Sequence, residues 1–243
     1  MPTLILTPRY SQDAQLLWRA ATQLGWNVER LLNWRLTDEI KLVSEPVLYV
    51  EALMSETIAE QLGLRLLDAS SDWLPNLPEE YRQRWVYLTT LGEVRQSNKT
   101  AFIKPPNEKS FLASVYSPAN LPTDYPDDML VLVAEIVQWE KEFRCFILDR
   151  TLQTFSIYLR DGELQSKNDF SHAETEEAEL RAFMQTILAD ERVEIPRSIV
   201  IDVGIIRGRG WAIVEHNAAW GSGLYGCDSV RVLEVLRHAI VKA

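Results

Sequence analysis

Two carboxylates and one amide are predicted to meet on a β-hairpin in the last fifth of the chain. The strands SIVIDVGII and WAIVEHN are joined by RGRG, Arg207 to Gly210, whose two glycines can adopt positive φ. If this connection is symmetric, Asp202 faces Glu215, and Asn217 lies on the same face because side chains alternate along a strand. Facing carboxylates in apolar strands repel each other, so a positive charge should lie between them. Oxygen ligands without a thiolate favour Mg²⁺ or Mn²⁺ over zinc.

Three alternatives to a metal site stay open for this hairpin. One carboxylate could pair with an arginine, or a bulge could shift the register and separate the two acids. A carboxylate pair could also hydrolyse glycosides, although no other part of the sequence resembles a sugar cleft.

A lysine at the end of an apolar strand suggests what accompanies the metal. Magnesium held by one or two carboxylates commonly binds substrate phosphates as well. The chain lacks the G-x-x-x-x-G-K-[ST] loop that cradles phosphates. Lys104 in FIKPP, however, ends an apolar run, where an ammonium is unexpected unless it meets an anion. The alternative is that this side chain extends into solvent at the end of the strand.

The first part of the chain shows the pattern of a small α/β unit. TLILT, WNVERL and PVLYV are strand-like, and helices are predicted over Ser11 to Leu24 and Glu51 to Leu62. A further helix is predicted across Tyr81 to Thr90. The junction between domains is placed within residues 70–98, which predicts one domain over 1–90 and a second over 91–243.

The second part has a different pattern, because strand-like runs follow one another without helices. TAFIKP, MLVLVAEIV, EFRCFILD and LQTFSIYLR predict a largely antiparallel sheet. The segment AETEEAELRAFMQTILAD is helical in its apolar spacing, with acids at the positive end of the helix dipole. A last helix is predicted over about Asp228 to Val241.

Composition restricts the class of protein and its partners. The chain has 243 residues, of which 47% are hydrophobic and 25% charged, so one or two globular domains are expected. A net charge of −10 argues against nucleic-acid binding, which depends on clustered Lys and Arg. Two cysteines without a C-x-x-C pair suit a reducing compartment. With no basic leader and no membrane-length apolar run, we expect a cytoplasmic protein.

The order of four short segments resembles a known superfamily. FIKP, then AEIVQWEKEFR, then IDVG and VEHN are similar to the ATP-grasp superfamily, over residues from about 95 to 243. Members use ATP and magnesium, most often to join a carboxylate to an amine. The resemblance implies a mixed α+β and α/β architecture in which antiparallel-sheet lobes grip ATP. It also implies that the first 90 residues form the small α/β domain that often precedes an ATP-grasp domain.

The resemblance assigns roles to residues between the two lobes. Lys104 would contact the α- and β-phosphates, and Glu135 would sit beside adenine in the hinge. Backbone groups of Ile136 and Val137 would read the adenine edge, and Glu142 would bind the ribose hydroxyls. The metal ligands implied by the resemblance are Asp202, Glu215 and Asn217.

Basic residues are candidates for the phosphate and acyl-phosphate positions. Arg144 and Arg160 resemble arginines that small ATP-grasp proteins place near these groups, where a guanidinium offers several fixed donors. The alternative for each is an ion pair with a neighbouring acid such as Glu142 or Asp161. Lys109 in NEKSF is a further phosphate candidate.

The sequence also departs from the superfamily pattern in two places. No glycine occurs between Gly92 and Gly162, so a glycine-rich phosphate flap is missing. Some relatives have an arginine two residues before the metal-binding aspartate, where Val200 stands here. Either Arg144, Arg160 or Arg207 replaces it, or the reaction differs.

The segment GSGLYG matches the G-x-G-x-x-G spacing of a dinucleotide-binding turn but follows the hairpin directly. Too few residues follow Gly226 for the helix, strand and acid that such a unit requires. We interpret the loop as one whose backbone N–H groups approach a bound carboxylate or phosphate, with Ser222 and Gly223 as the contacts. The alternative is a loop that only turns the chain.

These observations predict an ATP- and magnesium-dependent carboxylate–amine ligase that acts on an amino acid or peptide through an acyl phosphate. Two other functions stay open: an ATP-binding module without ligase activity, regulatory or partner-binding, and a small-molecule kinase using the same ATP site. The expected partners are small-molecule or peptide carboxylate and amine substrates, without nucleic acid or membrane. A homodimer is left open.

Overall fold

A computed structural model describes residues 1–33, 35–107 and 110–242. The first elements of the chain are β1 (Thr3–Leu6), α1 (Gln12–Gln23), β2 (Asn27–Arg30), α2 (Asp38–Lys41), β3 (Pro46–Tyr49), α3 (Ala52–Gln61), β4 (Leu64–Leu66), α4 (Trp73–Asn76), α5 (Glu79–Arg82), β5 (Val86–Thr90) and α6 (Leu91–Gln96). The later elements are β6 (Ala101–Lys104), β7 (Ser114–Tyr116), β8 (Leu130–Ala134), β9 (Trp139–Leu148), β10 (Thr151–Arg160), β11 (Glu163–Leu164), α7 (Glu174–Ala189), β12 (Ser198–Ile206), β13 (Gly210–Asn217), α8 (Ser229–Leu236) and β14 (Ile240–Lys242). Over these ranges, the helices are too short or too polar to cross a membrane.

The N-terminal sheet is a three-stranded parallel sheet in the order β2-β1-β3. The central strand β1 is buried throughout, as its apolar sequence TLIL requires. Helix α1 begins after Ser11, whose side chain accepts a hydrogen bond from the N–H of Ala14 at 3.1 Å. Its buried face includes Leu17 and Ala21, and the helix precedes Gly25, which has a φ of 73°. The small α/β unit expected from the sequence is present.

A second, antiparallel sheet has the order β5-β8-β6-β7. The helix predicted across Tyr81 to Thr90 is wrong, because α5 ends at Arg82 and Val86–Thr90 forms β5. Gln83 adopts the left-handed region, which ends the helix, and the β-branched and aromatic run VYLTT then pairs with β8.

The largest sheet is antiparallel, with the order β11-β10-β9-β12-β13, which leaves β13 at an edge. One face packs against α7 in a core that includes Phe143 and Ile201. The opposite face packs at one end against α8 through Phe146 and Val200. The residues that follow on this second face form the candidate site.

The end of the chain returns to its beginning. Helix α8 packs against α1, and β14 pairs antiparallel with β4. The predicted last helix is therefore wrong in its end: it stops at Leu236, and β-branched Ile240 and Val241 pair with Leu66 and Arg65 instead. The domain boundary at residue 90 stays a prediction.

Candidate active site

The hairpin β12–β13 brings Asp202 opposite Glu215, as predicted. The residue pairs between the turn and Asp202 differ from the predicted ones. Ile206 pairs with Gly210 rather than with the residue after it, which makes a three-residue loop, and Val214 is an extra residue in a bulge. The two differences cancel, so a bulge, which was the alternative that could have separated the carboxylates, instead realigns them.

A buried arginine holds the bulge in place. Arg84, between α5 and β5, donates from Nη1 to the carbonyl of Ile213 and from Nη2 to that of Val214, each at 2.8 Å. Its guanidinium also lies over the ring of Trp139, at 4.9 Å. Burial lowers the pKa of Arg84 to about 10, so it remains charged at neutral pH. Sequence reasoning missed Arg84, because its partners lie far along the chain and the local sequence gives no signal.

Four charges neutralise one another around the hairpin. Asp202 is fully buried and accepts two hydrogen bonds from Arg144, at 3.0 Å from Nε and 2.7 Å from Nη2. Glu215 is paired with the ammonium of Lys104. Burial by itself would raise the pKa of Glu215, but Lys104 and Asn217 hold it well below its usual range. The alternative in which one carboxylate meets an arginine is therefore present at Asp202.

The donor set at this point suits a hard cation. The amide nitrogen of Asn217 lies 3.2 Å from Oδ2 of Asp202 and 3.1 Å from Oε1 of Glu215, so the three side chains meet. Within the described ranges, no group of three or more His, Cys, Asp or Glu side chains could hold a metal. Mg²⁺ bound with phosphates needs only one or two carboxylates, so two carboxylates and an amide fit Mg²⁺ or Mn²⁺.

The connection between the two antiparallel sheets contains the predicted hinge residues. Glu135, Ile136 and Val137 lie between β8 and β9, and the N–H of Glu135 donates to the carbonyl of Trp85 at 3.0 Å. The Glu135 carboxylate pairs with Arg209. This short segment therefore connects the two antiparallel sheets.

Glu142 lies on the site face of β9, two residues before Arg144. It accepts a hydrogen bond from the hydroxyl of Tyr158 at 2.8 Å. Burial raises the pKa of Glu142 to about 7, and the nearby charges of Asp202 and Glu215 add to the rise.

Arg160 faces away from the carboxylates. A bulge at Tyr158 shifts the β9–β10 register, so that Arg160 pairs with Lys141 instead of continuing the face of Arg144. Its guanidinium makes two hydrogen bonds, of 2.8 and 2.7 Å, to Glu176 at the start of α7, and Lys141 pairs with the same carboxylate. The ion-pair alternative is thus present for Arg160, with Glu176 as the acid.

The glycine loop after β13 makes contacts within the chain. The hydroxyl of Ser222 donates to the carbonyl of Ala218 at 2.7 Å, and the carbonyl of Gly223 accepts from Nη1 of Arg144 at 3.0 Å. The N–H of Leu224 donates to Oδ2 of Asp13 at 3.1 Å. Sequence reasoning missed this contact of Asp13, because the sequence indicates only that Asp13 lies in the first turn of α1. The substrate contacts predicted for Ser222 and Gly223 stay a prediction.

A cavity of about 540 Å³ opens beside Lys104, Glu215 and Asn217 at β13, the edge strand of the largest sheet. A larger cavity of about 1020 Å³ reaches α3 and shares wall residues with the first. Asp68 and Trp220 line both. Lys109, the further phosphate candidate, lies outside the described residues.

Comparisons with known proteins identify the fold. Residues 81–235 match the model of an ATP-grasp domain family, described as family 2 of its clade. The structure resembles the D-alanine–D-alanine ligase of Bacillus anthracis with a TM-score of 0.55 and 11% identity, covering 98% of this chain and 96% of that one. It resembles a RimK domain ATP-grasp protein of Sphaerobacter thermophilus with a TM-score of 0.51 and 11% identity, covering 98% of each chain. The macrocyclase MdnC of Microcystis aeruginosa, solved with precursor peptide MdnA, gives a TM-score of 0.51 at 11% identity and covers 97% and 99%. A search of the curated proteins found no match.

Proposed function

Because the chain belongs to this family of ATP-grasp domains, we propose that it is an ATP- and Mg²⁺-dependent ligase joining a carboxylate to an amine. The observation that carries the proposal is the meeting of Lys104 with Asp202, Glu215 and Asn217 beside a cavity. The similar folds of a D-alanine–D-alanine ligase and of a peptide-bound macrocyclase support an amino acid or peptide as substrate.

Lys104 could pair with Glu215 or with the phosphates of ATP. In the structure its ammonium neutralises Glu215. In the proposed complex, Lys104 would turn to the phosphates of ATP, and Asp202, Glu215 and Asn217 would hold Mg²⁺ or Mn²⁺. When bound, the metal supplies positive charge to the transferring phosphoryl group. The exchange keeps Glu215 compensated in both states.

The proposed reaction has two steps. A carboxylate oxygen of one substrate attacks the γ-phosphorus of ATP, the bond to the β,γ-bridging oxygen breaks, and an acyl phosphate and ADP form. The amine nitrogen of the second substrate then attacks the acyl carbon, and inorganic phosphate leaves. The proton of the amine passes to phosphate or solvent. Lys104 contributes by neutralising the phosphate oxygens.

Some relatives have an arginine at the position of Val200, and Arg144 is the best candidate to supply that positive charge here. It lies on the site face and fixes Asp202 through two hydrogen bonds. Arg207 is engaged on the surface with Glu140 and Asp161. The catalytic role of Arg160 stays a prediction that its pairing with Glu176 does not support.

The segment that connects the two antiparallel sheets supports a place for the nucleoside. We assign adenine recognition to the backbone of Ile136 and Val137 and ribose binding to Glu142. Glu142 has no cationic partner among the salt bridges of the described residues, so its carboxylate is open to hydroxyl donors.

The test is to incubate the protein with ATP, Mg²⁺ and pools of amino acids and dipeptides, while phosphate, ADP and coupled products are measured. We expect phosphate release that requires both a carboxylate and an amine, with a product of summed mass minus water. A Glu140→Gln variant, altered at a partly exposed acid, serves as the active control.

Other outcomes of this experiment would contradict ligation. ATP binding without stimulated phosphate release would identify a binding module. ADP formation with a stable phosphorylated product would identify a kinase.

A further inference from the structure

Asp68 borders both cavities. It lies between β4 and α4, and its side chain is 31% exposed. Oδ1 accepts from the N–H of Ala69 at 2.8 Å, and Oδ2 lies 3.4 Å from the amide nitrogen of Asn107. No Lys or Arg of the described ranges forms a salt bridge with this carboxylate. A half-buried carboxylate in this condition is costly unless a ligand compensates it.

His216 lies beside Asp68. The residue is 5% exposed, and neither Nδ1 nor Nε2 has a hydrogen-bond partner in the part of the chain that the structure describes. Nδ1 lies 3.8 Å from Oδ1 of Asp68, beyond hydrogen-bonding distance. The ring is fixed edge-on against Trp73, with centroids 5.2 Å apart. Buried polar groups are normally bonded, so this ring in the cavity wall indicates an absent partner.

We propose that Asp68 and His216 form a subsite for the ammonium group of the amine substrate, an inference that rests on the proposed ligase function. An ammonium carries three donors, of which the carboxylate can accept one or two and a neutral imidazole nitrogen another. The larger cavity toward α3 receives the remainder of this substrate.

The subsite lies next to the residues that the proposed reaction uses. His216 follows Glu215 directly on β13, and the first cavity touches both residues. An amine held there would share the cavity with Lys104 and Glu215, which the proposed function places at the phosphates. The second cavity has acidic Glu56 and Glu60 on α3 as well as Arg65 on β4, so it favours an extended, polar, cationic substrate.

The test uses ethylammonium chloride as the probe, with ethanol as a neutral analogue of similar size. The chain has three histidines, so the ¹⁵N signals of the His216 ring can be assigned with a His216→Gln variant. We expect ethylammonium to shift these signals saturably and ethanol to leave them unchanged. Asp68→Asn should weaken the effect about tenfold or more, whereas Glu56→Gln, on the far wall, should change it less than about twofold.

Binding of Mg²⁺ and ATP is measured calorimetrically on the same samples. We expect Asp68→Asn to leave nucleotide affinity unchanged. Equal ethylammonium shifts in the wild type and Asp68→Asn, or none in the wild type, would overturn the subsite. If the wild type did not bind Mg²⁺ and ATP, this result would instead count against the proposed function, so the two failures are distinguishable.

Discussion

Glu215 and Asp68 border the same cavity, but they differ in how their charges are compensated. Glu215 has the ammonium of Lys104 and the amide of Asn217, and its pKa is held low. Asp68 has one backbone N–H and a distant amide, and burial raises its pKa to about 6. Ionisation of the two carboxylates therefore has opposite effects on the stability of the folded protein.

The difference indicates what each group binds. Glu215, the compensated carboxylate, can exchange the ammonium of Lys104 for a metal ion bound with its nucleotide. Its charge stays neutralised in both cases. The uncompensated side gains stability only when a cation arrives, which suits a substrate that is released again. A group that costs stability in the resting protein is a sign of function.

The largest expected effect concerns the compensated side. Arg144→Met leaves Asp202 buried without its partner, which should cost about 3–5 kcal/mol of folding free energy. Urea unfolding measures this loss. In the double variant Arg144→Met, Asp202→Asn, most of the stability should return while binding of Mg²⁺ and ATP stays lost. A single variant as stable as the wild type would contradict the ion pair as described.

Glu215→Gln should lower ATP turnover about a hundredfold, because it removes a charged ligand at the transferring phosphoryl group. Calorimetry with ATP, with and without Mg²⁺, separates lost metal dependence from lost nucleotide binding. Glu140→Gln is the matched control on the same sheet. Unchanged magnesium dependence in Glu215→Gln would remove the hairpin from the metal site.

Asp68→Asn should stabilise the protein at neutral pH, in contrast to changes at Glu215. Its folded pKa of about 6 exceeds the ordinary value of 3.8, so the ionised form is the one that folding disfavours. The gain, about 1–2 kcal/mol after allowance for partial exposure, should be complete above pH 6 and absent below 3.8. Thermal unfolding across this range measures it, with Glu60→Gln as control. A destabilised Asp68→Asn protein would refute the comparison.

The smallest effect is expected from Arg160→Gln, which breaks a compensated pair away from the cavity. Arg160 is 30% exposed, and Glu176 keeps Lys141 when Arg160 is replaced, so the loss of this pair should cost about 1 kcal/mol. Turnover should change less than about threefold, which steady-state kinetics can measure. A hundredfold loss would support the predicted catalytic role and show that Arg160 reaches the phosphates.

The hairpin illustrates how far sequence reasoning reached. Alternation along β12 and β13 placed Asp202, Glu215 and Asn217 together, and this is confirmed. The predicted pairing of the residues between the turn and these side chains was wrong at the loop and at Val214. Loop length and bulges depend on contacts outside the hairpin. At Tyr158 a similar bulge had no compensating shift, and it turned Arg160 to the other face.

Local pattern by itself determined the parallel and antiparallel parts, the order of the site motifs and the types of side chain that could bind metal and phosphate. These properties depend on residues close together in the chain. Tertiary structure alone decided that Arg84 holds the bulge, that Asp13 bonds the glycine loop, and that Asp68 meets His216. Each of these contacts joins residues more than a hundred positions apart. Their geometry results from how the sheets pack, which no local periodicity encodes.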